Sequence, residues 1–405
     1  MKSGTPSLDK EKEPTFVLSI NFITLMNPIL KKILNLSAFQ RVLGKDFELQ
    51  GLAKADALLS DLVNEKNVPG ISITVLKEGK TILQKGYGYA DLESKTPIDP
   101  KKTIFRIASV SKNIAATALA HMVSEGLMNL DASYYQYVPY FPIKKWDFTI
   151  RQLAGHTSGI RGYRGTEYGF NKPYSIKESI EIFKDDELLF EPGTDYLYTS
   201  YDWVLISLAM QEASGIPFEE YVQENVLQPL TMYKTIVPTS VSSSGVENFS
   251  KEHDSVSSLI DLTEERATFY SKNRLGFREA IPVDNFYKLA GGGYLSTSED
   301  IANFGQAYLE ERVLTKGIRT EFLTSQVAKG NTTYYGLGWQ VSEDKKGRSF
   351  YGHVGNGVGG YSNFFVYPDE EIVFAILVNC TNPGVQDELD RVVDSLINLD
   401  GSTIL

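Results

Sequence analysis

Residues 109–112 read Ser-Val-Ser-Lys, and they open the stretch that decides the fold. The apolar residues that follow recur at helical spacing, which predicts a buried helix, and Gly126 ends it. These apolar positions are Ile114, Ala118, Leu119, Met122 and Val123. The serine therefore stands at the start of a core helix, and the lysine lies about one turn further along.

Ser109 and Lys112 have a spacing that suits nucleophilic chemistry, because residues i and i+3 share one face of a helix. The free N–H groups and the positive dipole end at a helix N-terminus favour a developing oxyanion and disfavour a charged lysine. A neutral Lys112 can then accept the proton of Ser109, which a serine nucleophile requires. The alternative is a capped core helix that carries a surface lysine.

The pattern Ser-x-x-Lys is not specific by itself, since it also occurs at residues 7–10 and 342–345. Ser7 belongs to a polar tail, and Ser342 belongs to a charged loop that ends in glycine. Neither serine precedes an apolar helix pattern, so the context selects Ser109.

The composition predicts a folded protein of two to three lobes, at about 150 residues each. The 405 residues are 42% hydrophobic and 22% charged, and 23 Tyr and 21 Phe supply a large apolar area. The net charge of −11 and the pI near 5.1 disfavour nucleic acid as a partner, because nucleic-acid binding relies on a basic surface.

Cysteine and histidine usage predicts neither a disulfide nor a metal site. Cys380 is the only cysteine, and it follows an apolar run at 372–378 that is typical of a buried strand, so a core thiol is expected. The four histidines, which lack the paired spacing of metal ligands, are His121, His156, His253 and His353. No metal and no other cofactor are expected.

Residues 1–48 are expected to form an N-terminal extension. Residues 16–26 are apolar but too short to span a bilayer, and they follow acidic residues, so they make a poor signal peptide. The polar opening at 3–14 is typical of the linker left after removal of an export signal, which favours a periplasmic or exported location over a cytoplasmic one. Asn27-Pro28 begins a helix pattern that is expected to cover the main domain, with association with a membrane surface as the alternative.

Strand patterns cluster at both ends of the main domain. The predicted strands occupy residues 70–76, 81–83, 335–341, 362–367 and 372–378. Glu78-Gly79 is a turn signal between the first two, and residues 368–371 are one between the last two. The three late strands are expected to form an antiparallel meander.

The middle of the chain, from Ser109 to about residue 285, is richer in helical patterns. Residues 203–210 are apolar nearly all round and predict a buried helix. The serine-rich segment 240–258 predicts an exposed loop, a candidate for a flap beside a cleft. Strands around a helical middle predict an α/β (α+β) fold, in which an antiparallel sheet is flanked by helices and carries an inserted, mainly helical lobe.

Two further short motifs follow Ser109 along the chain. Tyr198-Thr199-Ser200 precedes the 203–210 helix, and His353-Val354-Gly355 precedes the strand near Ser362. The ordered set Ser-x-x-Lys, Tyr-x-Ser and His-x-Gly resembles that of the serine β-lactamase and penicillin-binding protein superfamily. The chain is most similar to its class C-like branch of the peptidase S12 type, and within that branch to LACTB-like peptidases and family VIII-type esterases.

The likeness covers roughly residues 52–382. Further segments that resemble the class C-like branch are 105–112, 153–160, 191–193, 290–297 and 335–339. The resemblance implies a β-lactamase/transpeptidase-like domain over residues 49–400. Its sheet lobe would take about 49–106 and 286–400, and its helical lobe about 107–285.

The resemblance also implies roles for individual residues. Ser109 would be the nucleophile that forms an acyl-enzyme, and Lys112 would accept its proton. Tyr198 would shuttle a proton to the leaving group. A phenol, with an ordinary pKa of ~10, acts as a base only where nearby cations depress that pKa, and the candidates are Lys112 and His353.

Other residues would contact the substrate. Ser200 would form a hydrogen bond within the cleft, and His353 would lie at the substrate. The oxyanion hole would use the backbone N–H groups of Ser109 and of Asn356, which follows Gly355 at the edge of the sheet.

The implied function is a serine hydrolase that acts on small esters, peptides or amides. Where β-lactamases of this superfamily carry Lys-Thr-Gly or Lys-Ser-Gly, this chain has His353-Val354-Gly355, so it lacks the cation and the hydroxyl that hold a substrate carboxylate. Strong β-lactamase activity is therefore not expected. The alternative function is a penicillin-binding sensor, or a low-activity DD-peptidase or β-lactamase, that is acylated but turns over slowly.

Two other interpretations of the sequence are less well supported. Residues 355–360 satisfy G-x-G-x-x-G, but a dinucleotide site needs a helix after this motif, and a strand pattern follows here. A protein that has this fold but no catalytic activity is disfavoured by the presence of Ser109, Lys112 and Tyr198.

Ser109 is expected to be the only serine that reacts with a fluorophosphonate, because it alone heads an apolar helix. Intact-mass analysis should show one adduct, which Ser109→Ala removes and which Ser7→Ala and Ser342→Ala retain. Full labelling of the Ser109→Ala variant would refute the assignment.

Overall fold

The computed structural model describes residues 49–238, 265–397 and 399. From Gly51 onward the chain is one compact unit. The predicted N-terminal extension, its helix from Asn27 and the loop at 240–258 lie outside the described residues. Within the described residues, no helix is long and apolar enough to cross a membrane.

Fourteen strands are present in the described residues. They are β1 Gly70–Lys77, β2 Lys80–Asp91, β3 Thr96–Pro97, β4 Phe105–Arg106, β5 Tyr270–Asn273, β6 Gly276–Glu279, β7 Leu295–Ser296, β8 Val327–Ala328, β9 Asn331–Thr332, β10 Gln340–Glu343, β11 Ser349–Gly357, β12 Gly360–Tyr367, β13 Ile372–Val378 and β14 Cys380–Thr381.

Nine α-helices are present in the same residues. They are α1 Gly51–Asn64, α2 Ser111–Ser124, α3 Ile150–Ala154, α4 Ile176–Ser179, α5 Ser200–Ser214, α6 Phe218–Val222, α7 Ser298–Leu309, α8 Lys316–Phe322 and α9 Gln386–Ile397. Short 3₁₀ or π turns adjoin several helices and strands, including Ala108–Val110 before α2 and Leu289–Gly293 before β7.

The main sheet has seven antiparallel strands in the order β10-β11-β12-β13-β1-β2-β3. At its centre β1, from the start of the domain, pairs with β13, from its end, with Ile73 opposite Ile376. Every residue of β12 and β13 is buried, since both faces of the sheet are covered. The two ends of the domain therefore build one sheet around the helical middle.

Two apolar cores cover the two faces of this sheet. The larger core joins the α2, α5 and α7 helices to one face, and Phe364 and Trp339 belong to it. The smaller core joins α1 and α9 to the other face, and Leu59 packs there with Val392. The predicted architecture is confirmed: a mixed α/β structure with a large antiparallel sheet and flanking helices.

Two predicted strands are wrong in their extent, and the one expected at 81–83 is the start of the longer β2, which continues to Asp91. The strand expected at 335–341 begins only at Gln340, because the preceding segment bonds to helical segments instead of to another strand. Leu337 N–H donates to Phe322 O and Gly338 N–H donates to Ala154 O. Gly338 also has φ +83° and lies against Trp203, where a side chain would collide.

β11 was missed by the strand patterns, although it carries His353 and Gly355. Glycines at 352, 355 and 357 remove the side chains from which a period-two pattern is recognised. The G-x-G-x-x-G motif spans the β11–β12 turn and is followed by a strand, as its sequence context indicates. The boundaries between a sheet lobe and a helical lobe stay predictions.

Candidate active site

The turn before α2 places Ser109 against the edge of the main sheet. Ala108 in this turn has φ +46°, an uncommon left-handed conformation for a residue with a side chain. β11 approaches so closely that a Cβ on Gly355 would lie 3.0 Å from Ser109 N and 2.4 Å from Ile107 O. Ser362 on β12 donates to Ile107 O at 2.7 Å and ties the turn to the sheet. Only glycine at 355 permits this contact.

Lys112 lies in the first turn of α2 and is fully buried. Its Nζ lies 3.1 Å from Ser109 Oγ and 3.2 Å from Ser200 Oγ, and it donates to Gly291 O at 2.5 Å. Burial lowers the pKa of Lys112 to about 7. The amine is therefore uncharged in a substantial fraction of molecules at neutral pH, which rules out the surface lysine of the alternative reading.

Tyr198 approaches the same hydroxyl from the other side of the cleft. Its OH donates to Ser109 Oγ at 2.8 Å, and its ring centroid lies 4.8 Å from Lys112 Nζ. The expected lowering of this phenol's pKa by nearby cations is not found. Although Tyr198 as a whole is 37% exposed, desolvation of its hydroxyl raises the pKa above its usual value, so the phenol stays protonated and acts as a hydrogen-bond donor.

Ser200 begins α5 and links the nucleophile to a tyrosine cluster. Thr199 is the N-cap of this helix, and its side chain accepts from Tyr201 N–H. Ser200 Oγ lies 3.2 Å from Lys112 Nζ. The ring of Tyr201, the next residue, lies 4.9 Å from the ring of Tyr163, whose pKa is raised by burial.

His353 is 1% exposed and has both ring nitrogens engaged. Its Nδ1–H donates to Val354 O at 2.6 Å, so its Nε2 accepts from Tyr335 OH at 3.0 Å. Burial, assisted by the charge of Lys112, lowers the pKa of His353 to about 3. The imidazole is neutral, and it has no free nitrogen to offer a substrate. Val354 packs into the smaller core on the other face of the sheet.

The backbone of Asn356 lies at the open edge of β11. Val354 N–H donates to the Gln340 side chain at 3.0 Å, so it points away from β12. Alternate residues of a strand direct their N–H groups to the same side, and Asn356 N–H therefore points the same way. Asn356 O accepts from Tyr168 OH at 3.4 Å.

A buried histidine and aspartate behind Tyr198 were missed by the sequence analysis. His156 Nδ1 lies 2.8 Å from Asp202 Oδ2, and Ser158 OH donates to Asp202 Oδ1 at 2.6 Å. Both residues are fully buried. Burial raises the pKa of Asp202 and lowers the pKa of His156, so each group favours its uncharged form, and His156 Nε2 has no hydrogen-bond partner among the described residues.

This pair holds the chain on both sides of Tyr198. His156 O accepts from Leu197 N–H at 2.9 Å, and Nδ1 accepts from Thr199 N–H at 3.4 Å. The His156 and Tyr198 rings are 4.5 Å apart. The sequence carried a signal for this pair, since Asp202 is a carboxylate within a segment that is otherwise apolar and buried.

The site combines a hydroxyl, a partly uncharged amine, a protonated phenol and backbone N–H groups at a sheet edge. Such a set is suited to acyl transfer, which needs a proton acceptor at the nucleophile and donors at the developing oxyanion. Together with the antiparallel sheet and its helical insertion, it defines a serine hydrolase of the β-lactamase and penicillin-binding protein superfamily.

The chain belongs to the beta-lactamase family, whose model matches residues 55–398. The human serine beta-lactamase-like protein LACTB, mitochondrial, is 27% identical over 77% of this chain and 71% of its own length. The octameric penicillin-binding protein homologue from Pyrococcus abyssi has a TM-score of 0.69 at 24% identity, over 85% of this chain and 78% of that one. The D-amino acid amidase from Ochrobactrum anthropi SV3 complexed with L-phenylalanine has a TM-score of 0.70 at 21% identity, over 84% and 98%.

Asp202→Ala is expected to lower the free energy of unfolding by about 1 to 3 kcal/mol, because it leaves the Ser158 hydroxyl and the His156 ring without their buried partner. Asp202→Asn should cost clearly less, because an amide can replace a protonated carboxyl in both hydrogen bonds. Urea unfolding of the two variants and the wild type measures this difference. Equal losses in the two variants would show that Asp202 is ionised in the fold.

Proposed function

We propose that this serine hydrolase forms an acyl-enzyme at Ser109 and acts on small esters, peptides or amides. The observation that supports this most is the double contact of Ser109 Oγ, with Lys112 Nζ at 3.1 Å and with Tyr198 OH at 2.8 Å. One partner can receive the serine proton and the other can supply a proton, which both halves of an acyl transfer require.

In the acylation step, uncharged Lys112 accepts the proton of Ser109 while Oγ bonds to the substrate carbonyl carbon. The carbonyl oxygen becomes an oxyanion, which the backbone N–H groups of Ser109 and Asn356 stabilise. Tyr198 donates its proton to the leaving group as the carbonyl bond to that group breaks, and it recovers a proton from Lys112. The product is an ester of Ser109, with Lys112 uncharged again.

In the deacylation step, a water molecule takes the place of the leaving group. Lys112 accepts a proton from this water as its oxygen bonds to the acyl carbon, and the same N–H groups stabilise the second oxyanion. Ser109 leaves and regains a proton through Tyr198 or Lys112. The His156–Asp202 pair takes no part in proton transfer and serves as a positioning group for Tyr198.

Substrates that must be held through a carboxylate at the third motif, His353-Val354-Gly355, fit this cleft poorly. His353 is neutral, and its two ring nitrogens are bonded to Val354 O and Tyr335 OH. A charge-assisted hydrogen bond is worth ~1.5–3 kcal/mol, so its loss corresponds to about ten- to more than a hundredfold in turnover. β-Lactams should therefore be poor substrates compared with activated esters.

The wild-type protein is expected to hydrolyse 4-nitrophenyl butyrate with a kcat/KM at least about tenfold above that for nitrocefin, because His353 cannot hold the β-lactam carboxylate. Both activities are measured on one preparation, and Ser109→Ala should abolish both. Efficient nitrocefin hydrolysis would contradict the proposed specificity. Release of one equivalent of product per protein, without further turnover, would instead support a penicillin-binding sensor that is acylated and turns over slowly.

The kcat/KM for a neutral ester should rise with pH and reach half its maximum near pH 7, because only uncharged Lys112 accepts the Ser109 proton and its pKa is about 7. Below that pH the protonated amine blocks the step. Lys112→Met should lower kcat/KM by about 10²- to 10⁴-fold. A rate that is constant from pH 5 to pH 9 would exclude Lys112 as the proton acceptor.

A further inference from the structure

Lys288 is a buried cation that the proposed mechanism does not use. It is 6% exposed, and its Nζ donates to Tyr168 O at 3.0 Å. The rings of Tyr163, Tyr168 and Tyr287 surround it, with centroids 5.3–5.6 Å from Nζ. Burial and the charge of Arg106 lower the pKa of Lys288 to about 8, so it is still mostly protonated at neutral pH.

Arg106 is a second cation on the same side of the cleft. Its guanidinium lies 4.3 Å from the Phe269 ring centroid and donates to Val358 O at 2.5 Å. This is the only hydrogen bond of that side chain among residues 49–238 and 265–397. The other N–H groups of the guanidinium have no hydrogen-bond partner among the described residues.

Neither cation forms an ion pair with a carboxylate in the described part of the chain. Asp284 is the acidic group that acts on Lys288, and its Oδ1 accepts from Phe286 N–H instead. Burying an unpaired charge is costly, so proteins normally pair such groups. An anion bound between Lys288 and Arg106 would supply the missing partner.

The two cations lie within reach of the nucleophile. Tyr168 binds Lys288 through its carbonyl oxygen and Asn356 through its hydroxyl, and Asn356 adjoins the glycine that touches Ser109. On the other side, the Tyr163 ring that faces Lys288 lies 4.9 Å from the ring of Tyr201, which follows Ser200. Tyr168 and Tyr163 therefore connect Lys288 to the residues around Ser109.

We propose that Lys288 and Arg106 bind a carboxylate of the substrate, so that the preferred substrates are esters or amides with an anionic group distant from the scissile bond. This inference rests on the proposed function of Ser109. The site is separate from the third motif, because the contacts of His353 are with Tyr198, Tyr335 and Val354 and not with Lys288. It therefore does not replace the cation and the hydroxyl that hold a β-lactam carboxylate in β-lactamases.

The test compares two pairs of esters that differ in one charge. In the first pair, mono-4-nitrophenyl adipate carries the carboxylate on the acyl side and its methyl ester is the neutral member. In the second, 3-carboxy-4-nitrophenyl butyrate carries it on the leaving group and 4-nitrophenyl butyrate is neutral. Ser109→Ala supplies the background rate. The wild type should favour the anionic member of at least one pair by about tenfold or more in kcat/KM.

Variants assign this preference to the two cations. Lys288→Met and Arg106→Gln should each bring the ratio of anionic to neutral kcat/KM close to one, a loss of about tenfold or more, whereas Lys288→Arg should keep most of it. Lys345→Met removes an exposed lysine and is the matched control. Since the ratio is taken within one protein, a general loss of active enzyme cancels. If a variant does not fold, the wild-type preference and its reduction by added salt remain as tests.

Two results would overturn the inference. One is a wild-type ratio near one in both pairs, and the other is a ratio that neither Lys288→Met nor Arg106→Gln changes. In both cases hydrolysis of the neutral esters by Ser109 would leave the proposed function intact. If no ester is hydrolysed and no fluorophosphonate adduct forms, the proposed function itself fails, and the inference fails with it.

Discussion

The chemistry of this protein depends on the burial of one lysine. Lys112 has no exposed surface, and Ser109 Oγ, Ser200 Oγ and Gly291 O surround its amine. The same burial brings the amine pKa down to about 7 and excludes the water that would otherwise solvate it. Burial therefore supplies a partly uncharged proton acceptor beside the serine, and the same loss of solvating water keeps Tyr198 protonated and His353 neutral.

The fold supplies that burial by joining the two ends of the domain. The pairing of β1 with β13 closes the sheet, and the apolar face of the sheet packs on α2 and α7. The approach of β11 to the Ser109 turn depends on Gly355, since any side chain there would meet Ile107 O. The glycine of the third motif is therefore a packing requirement, whatever substrate the site accepts.

Two pairs of titratable residues near Ser109 differ in the charge they carry. Behind Tyr198, His156 and Asp202 are hydrogen-bonded to each other, and burial favours the uncharged form of each, while His156 Nε2 has no hydrogen-bond partner among the described residues. Lys288 and Arg106 have no carboxylate partner among the described residues. The first pair carries no net charge, whereas the second leaves positive charge for a ligand. This contrast is the reason for assigning the first pair to the positioning of Tyr198 and for proposing the second for substrate recognition.

The amino-acid sequence determined the elements and the order of the motifs. The runs at 70–76 and 372–378 became adjacent strands, and the stripe after Ser109 became the buried α2, because apolar periodicity is a local property. β11 was missed because its glycines remove the side-chain pattern of a strand, and the late start of β10 because the preceding residues bond to segments distant in the chain. Asp202 stood out as a carboxylate in an apolar run, but its pairing with His156, 46 residues earlier, is decided by the tertiary structure. Only the tertiary structure decided the protonation states of Lys112, Tyr198 and His353, since a pKa depends on the water and charges that the folded chain excludes or brings together.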